Sequence, residues 1–365
     1  MNLETIVIKQ DKIERPHIPE LDGVRGLAVS LVLILHCVVG LTKTTSGTVI
    51  DSIKTAVLPF LIGGVDMFFI LSGFLIAGIL IDNRNATNYF QIFWTRRIAR
   101  IFPVYYFVFA SYFLLSFLNT TYLHGTLNYL VSVLDSGQKS VPMWAYALFM
   151  QNNFMIFMKN GAPFMFGVTW SVAIEEQFYL ILPFLIFFLP RKHITFLAIV
   201  AIVLSFLIRV LVWYNWTWNA SYLFTFSRID ALMMGVLIAS IIRDPHKLAV
   251  ATRLRLPFDI LTVFFILCIV FNIFGMVSAI VQQYQFASIF ISALQYPVLS
   301  LSMALCLLRL FTTQNSILHF FLQNTLLRKI GLVSYATYMF HQMVNATVHH
   351  LFRGHIPTIN DWGDA

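Results

Sequence analysis

Apolar runs of about twenty residues recur along almost the whole chain, and that recurrence leaves few folds open. A helix needs about 20 predominantly apolar residues to cross the hydrocarbon core of a bilayer. Runs of that length cover 24–41, 57–81, 101–118, 169–189, 194–213, 228–242, 257–276, 287–310 and 330–352. A further run, 141–158, is interrupted by Gln151, Asn152 and Asn153. The 365 residues are 59% hydrophobic and only 11% charged, where soluble domains carry about 25% charged residues. A soluble fold must present much of its surface to water, and this composition cannot supply it. The expectation is an all-α, polytopic transmembrane bundle of nine spans if 141–158 re-enters, or ten if it crosses.

No fixed-period repeat and no linker composition divides the chain. The reading is a polar cytoplasmic segment at 1–20, one membrane domain at 21–352 and a short tail at 353–365. Residues 1–20 lack the early apolar core of a signal peptide, so the first apolar helix is expected to direct insertion. The net charge of +8 is spread through short segments between apolar runs, as topology signals are, which argues against a nucleic-acid partner. With nine spans, clusters such as Arg96, Arg97 and Arg100, Arg191 and Lys192, and Lys247, Arg253 and Arg255 mark the cytoplasmic side, whereas ten spans would put Arg191 and Lys192 outside and invert every later loop. Cys37, Cys268 and Cys306 lie within apolar runs, as packing residues rather than a disulfide framework.

Ionisable side chains inside spans are costly and mark functional sites by default. Arg25 and His36 are 11 residues apart in the first span, which puts them on one helix face about 16 Å apart along the axis. Asp66, Glu175, Glu176 and His341 also fall within spans, and His341 comes at about the height of His36. Adjacent residues on a helix point about 100° apart, so Glu175 and Glu176 cannot face one pocket equally. Arg97 and Arg100, three apart, face the same way and suit a phosphate through charge-assisted hydrogen bonds. Each group also has an ordinary reading. Arg25 snorkels, the histidines bond to neighbouring helices, Asp66 sits at the outer surface, and Arg97 and Arg100 meet lipid headgroups.

Six blocks in order carry a resemblance. They are Leu21-Asp22-Gly23-Val24-Arg25-Gly26-Leu27-Ala28 followed by His36; Gly64-Val65-Asp66-Met67-Phe68-Phe69-Ile70-Leu71-Ser72-Gly73-Phe74-Leu75; Arg97-Ile98-Ala99-Arg100-Ile101-Phe102-Pro103; Trp170-Ser171-Val172-Ala173-Ile174-Glu175-Glu176-Gln177-Phe178-Tyr179; Arg228-Ile229-Asp230-Ala231-Leu232-Met233-Met234-Gly235; and Ser334-Tyr335-Ala336-Thr337-Tyr338-Met339-Phe340-His341. Together they resemble the acyltransferase 3 family of membrane-bound O-acyltransferases, whose hallmark is Arg or Lys, ten residues, then His. Met67 and Gln342 depart from the usual pattern at uncharged positions.

The resemblance implies an O-acyltransferase of the short form, without an added extracytoplasmic domain. It implies an acyl-CoA co-substrate, with acetyl-CoA the default, and a carbohydrate or lipid-linked glycan acceptor such as O-antigen or exopolysaccharide. No bound cofactor and no metal site are expected. His36 is the expected general base, with Asp66 or Glu175 orienting it. Arg97 and Arg100, with Arg25, are expected to hold CoA phosphates, and Arg228, Glu176 and His341 to complete the substrate site. The expected location is a bacterial inner membrane, among membrane lipid. A proton-coupled transporter using the intramembrane His, Asp and Glu as a relay is the alternative.

Overall fold

In a computed structural model, residues 18–40, 49–122, 141–157, 166–313 and 316–353 are described. Most of the N-terminal segment, nearly all of the C-terminal tail and residues 41–48, 123–140, 158–165 and 314–315 therefore lie outside the described residues. Every described element is helical. The long ones are α1 (Pro19–Ile34), continued by a π-helical turn over Leu35–Val39, α2 (Val49–Asp82) and α3 (Tyr89–Thr121). Two short helices follow, α4 (Met143–Ala147) and α5 (Gln151–Phe157). Next come α6 (Thr169–Phe188), α7 (Arg191–Asn215), α8 (Trp218–Leu223) and α9 (Thr225–Ile242). The last part comprises α10 (Pro245–Arg253), α11 (Arg255–Val270), α12 (Ile273–Ile280), α13 (Gln285–Thr312), α14 (Ile317–Leu322), α15 (Thr325–Leu332) and α16 (Ser334–Arg353).

The protein is a multi-pass membrane bundle, with fewer clean spans than the apolar runs suggest. Seven described helices are long and apolar enough to cross, or eight if α11 and α12 count as one span bent by 60° at their break. Asn272 sits at that break with a left-handed backbone, φ 49°. The expected last span, 330–352, divides between α15 and α16. Although α16 has 20 residues, it falls short in apolarity because it carries His341, Gln342 and Asn345, all turned inward and buried.

The run 141–158 does not form a single helix. A turn at Phe149, φ 54°, separates α4 from α5, and neither extends beyond about 10 Å. Non-helical backbone at membrane depth survives only where protein satisfies its polar groups, and the interrupting amides do so here. Gln151 Nε2 donates to the Thr169 carbonyl at 2.9 Å, and Asn152 Nδ2 to the Leu223 carbonyl at 3.1 Å. Gln177 Nε2 closes the turn on the Phe149 carbonyl at 2.7 Å.

α2 and α9 form the centre, each with 72% of its apolar window buried. Lipid tails are as apolar as leucine, so helices in a bilayer associate through close packing across small residues. A Cβ on Gly73 would lie 1.9 Å from the Leu232 carbonyl oxygen, and one on Gly235 2.1 Å from that of Ile70. The two backbones are therefore in direct contact. Gly73→Ala or Gly235→Ala should force them apart, with destabilisation of about 1–3 kcal/mol or more. Thermal unfolding in detergent should show a lowered midpoint for both variants, and an unchanged midpoint would contradict the close contact.

Candidate active site

Three arginines converge from two helices. Arg25 on α1 and Arg97 and Arg100 on α3 line a cavity of about 110 Å³, together with Ser72 of α2, Ser171, Glu175 and Tyr179 of α6, and Tyr335 and Tyr338 of α16. The cavity is a tall slot. Its α2 wall runs from Ile76 to Val65, about 16 Å along a helix. Arg25 Nη1 donates to Asp22 at 2.6 Å. Glu175 accepts a hydrogen bond from the Tyr179 hydroxyl at 3.0 Å, and Tyr179 is bonded in turn to Ser72. Glu176 lies about 100° further round α6 and is not part of the slot lining. The buried Nε of Arg97 has no protein acceptor. Three guanidiniums gathered at one end, with a buried Arg97 donor still unmatched although Glu175 and Glu176 lie near it, make a floor that can accept an anion.

At the upper end Tyr338 connects the slot to two histidines. Its hydroxyl meets Ser171 at 2.7 Å and the Val168 carbonyl at 3.0 Å. Its own carbonyl lies 2.7 Å from His341 Nδ1, and His341 Nε2 lies 3.1 Å from Nδ1 of His36. The imidazoles stack with centroids 5.0 Å apart. These contacts assign the tautomers of the neutral pair. A carbonyl can only accept, so His341 carries its proton on Nδ1 and its Nε2 is an acceptor. His36 must then donate through Nδ1, which leaves Nε2 of His36 as the free basic nitrogen. His36 sits in the π-helical turn after α1, a deviation frequent at functional positions.

Asp66 does not orient His36. It is fully buried and ion-paired with Arg228 of α9 at 2.8 Å. The Arg228 guanidinium is enclosed by the rings of Phe69, Trp170, Tyr222 and Tyr296, with Tyr222 at 4.7 Å. Its Nε and Nη1 have no hydrogen-bond acceptor, and the aromatic faces take that role through cation–π attraction. Beside it Arg209 of α7 pairs with Asp230 at 2.8 Å and donates to the Ser227 carbonyl. Two cations thus neutralise two anions. Glu175, the other expected orienting group, is engaged by Tyr179 in the slot, so the contact that holds His36 is His341. Among the described residues no group of three or more His, Cys, Asp or Glu side chains is placed to hold a metal ion.

Comparison with known proteins identifies the family. The family model described as "Acyltransferase domain" matches residues 18–363, nearly the whole chain. The chain belongs to the acyltransferase 3 family. O-acetyltransferase OatA of Staphylococcus aureus (strain NCTC 8325 / PS 47) is 30% identical over 238 residues, 62% of this chain and 35% of that protein. Peptidoglycan O-acetyltransferase OatA of Listeria monocytogenes serovar 1/2a is 31% identical over 181 residues, 49% of this chain and 26% of that protein. Putative peptidoglycan O-acetyltransferase YrhL of Bacillus subtilis (strain 168) is 31% identical over 176 residues, 46% of this chain and 23% of its own length. The chain thus spans about a third or less of these relatives. No solved structure matches it.

Within this acyltransferase 3 fold the expected site residues divide into three clusters. Arg25, Arg97, Arg100 and Glu175 meet in the slot, His36 and His341 above it, and Asp66 and Arg228 in a buried pair. Sequence reading passed over Ser72, Tyr179 and Tyr338, whose hydroxyls join these elements, since tyrosines are common in this chain. It also passed over the Arg209–Asp230 pair, although two more ionisable groups within apolar runs were a signal. Removing one member of a buried ion pair leaves an uncompensated charge and costs about 3–5 kcal/mol. Asp66→Leu alone should therefore lower the unfolding midpoint more than the double variant Asp66→Leu with Arg228→Met. A double-mutant cycle of thermal midpoints checks this.

Proposed function

We propose that the protein is a membrane-bound O-acyltransferase that moves an acetyl group from acetyl-CoA, entering from the cytoplasmic side of a bacterial inner membrane, to a carbohydrate hydroxyl. The observation that carries the reading is the slot itself, with arginines at its floor and a histidine pair above its upper end. CoA presents several phosphates on a long flexible arm carrying the thioester. Phosphates held by Arg97, Arg100 and Arg25 leave that arm to climb the slot toward Tyr338 and His36. The basic segments that flank the arginine end favour the cytoplasmic side for that end, where acyl-CoA is made. The names of the relatives favour peptidoglycan over O-antigen or exopolysaccharide as the acceptor class.

A sugar hydroxyl is a weak nucleophile, so a base that takes its proton as it attacks the thioester carbonyl lowers the barrier. Nε2 of His36 is that base. As His36 becomes an imidazolium, its Nδ1–H donates more strongly to the neutral Nε2 of His341, which holds the ring and spreads the charge. The role is that of the acid in a catalytic triad, filled by a second imidazole. The C–S bond then breaks and CoA leaves as the thiolate.

Labelled acetyl-CoA and a crude cell-wall glycan extract, supplied to proteoliposomes, test the reading. Wild type should label glycan. His36→Ala should lose roughly 10²–10⁴ in rate and retain CoA binding, whereas Arg97→Ala with Arg100→Ala should lose CoA binding itself. Equal labelling by wild type and His36→Ala would remove His36 from the chemistry. Movement of a solute without release of CoA would favour the transporter.

A further inference from the structure

The largest of the three main cavities lies away from the slot. A recess of about 500 Å³ is bounded by α7, α9 and α13 and rimmed at one end by α10 and the start of α11. That end coincides with the arginine end of the slot: α9 leads into it at Arg243, which is ion-paired with Asp82 at the end of α2. The lining is segregated by polarity. Its deep walls are apolar, from Met234 to Ile241 on α9 and from Leu301 to Leu308 on α13, about 10 Å of helix in each case. The polar lining residues Thr195, His246 and Lys247 gather at the α10 end.

Lys247 is held in place there. Its Nζ donates to Thr195 Oγ1 at 2.8 Å and lies 3.3 Å from Asp244. Lys192, one turn before Thr195, and Arg253 and Arg255, on either side of Leu254, are exposed and carry no ion pair among the described residues. The helix segments that frame this mouth therefore carry more basic than acidic side chains, over a deep apolar recess. Water has few partners in such a recess, and in a bilayer the apolar filler at hand is an acyl chain. Basic side chains at a cytoplasmic interface attract anionic headgroups by about 1 kcal/mol each.

We propose that this recess is a binding site for one anionic glycerophospholipid of the cytoplasmic leaflet, with an acyl chain between α9 and α13 and its phosphate at Lys247 and His246. Segregated polarity makes the site fit an amphiphile, and the cationic mouth selects an anionic one. The site is separate from the acyl-transfer slot and does not depend on that reading.

Native mass spectrometry of the detergent-purified full chain, titrated with phosphatidylglycerol or phosphatidylcholine, tests it. Wild type should retain one phosphatidylglycerol at least tenfold more tightly than phosphatidylcholine. Lys247→Glu at the mouth should abolish that preference, and Ala304→Trp, which fills the recess, should abolish retention of the lipid. Thermal midpoints and CoA binding of each variant, compared with wild type, show whether the bundle is intact. If Ala304→Trp fails to fold, Lys247→Glu decides alone. Equal retention of the two lipids by wild type, or an unchanged preference in Lys247→Glu, would overturn the proposal.

Discussion

The backbones of α2 and α9 touch where Gly73 passes Leu232 and Gly235 passes Ile70, and on the same two helices Asp66 and Arg228 meet with no exposure to solvent. These facts depend on each other. A bilayer offers no water to unpaired charges and no hydrophobic drive to bring helices together. Close approach across glycines supplies the dispersion contact, and the approach places the carboxylate and guanidinium within ion-pairing distance. The remaining guanidinium donors face four aromatic rings, which supply electron density without introducing another charge. Arg209 and Asp230 repeat the solution beside them, so the ionic centre is electrically balanced.

That balance separates charges that shape the bundle from charges available to a substrate. Asp66, Arg228, Asp230 and Arg209 are matched to one another. In the slot, Arg25 is paired with Asp22 and Arg97 has Glu175 and Glu176 near it, yet the buried Nε of Arg97 stays without an acceptor, a donor suited to an anion. His36 and His341 are paired with each other and with backbone carbonyls, Val32 for His36 and Tyr338 and Thr337 for His341. A weak neutral partner lets a base take up a proton at the cost of little reorganisation, whereas an Asp66 carboxylate beside His36 would have left Arg228 buried without its counter-ion.

Much of this was legible in the sequence. Twenty-residue apolar runs announce membrane helices because hydrocarbon thickness is fixed. Gln151, Asn152 and Asn153 mark the run that breaks into two short helices, since three amides together cannot face lipid. Arg97 and Arg100 share a slot because three residues is most of one helical turn. The number of clean spans was less legible. α16 buries His341, Gln342 and Asn345 against neighbours, and an average of hydropathy along a chain does not reveal which face will be covered.

Taken alone, the sequence determined the membrane class, the helical architecture, the family and the identity of most charged residues in the site. The membrane class and helical architecture follow from length and composition, which are local properties, while the family and the candidate site residues were read from the resemblance that six motif blocks carry. Only the tertiary structure decided which charge met which. Asp66 went to Arg228 and His36 to His341, partners 162 and 305 residues away along the chain. Pairing across such separations depends on how glycines let helices approach and on which helix faces turn toward each other, and no single helix encodes either.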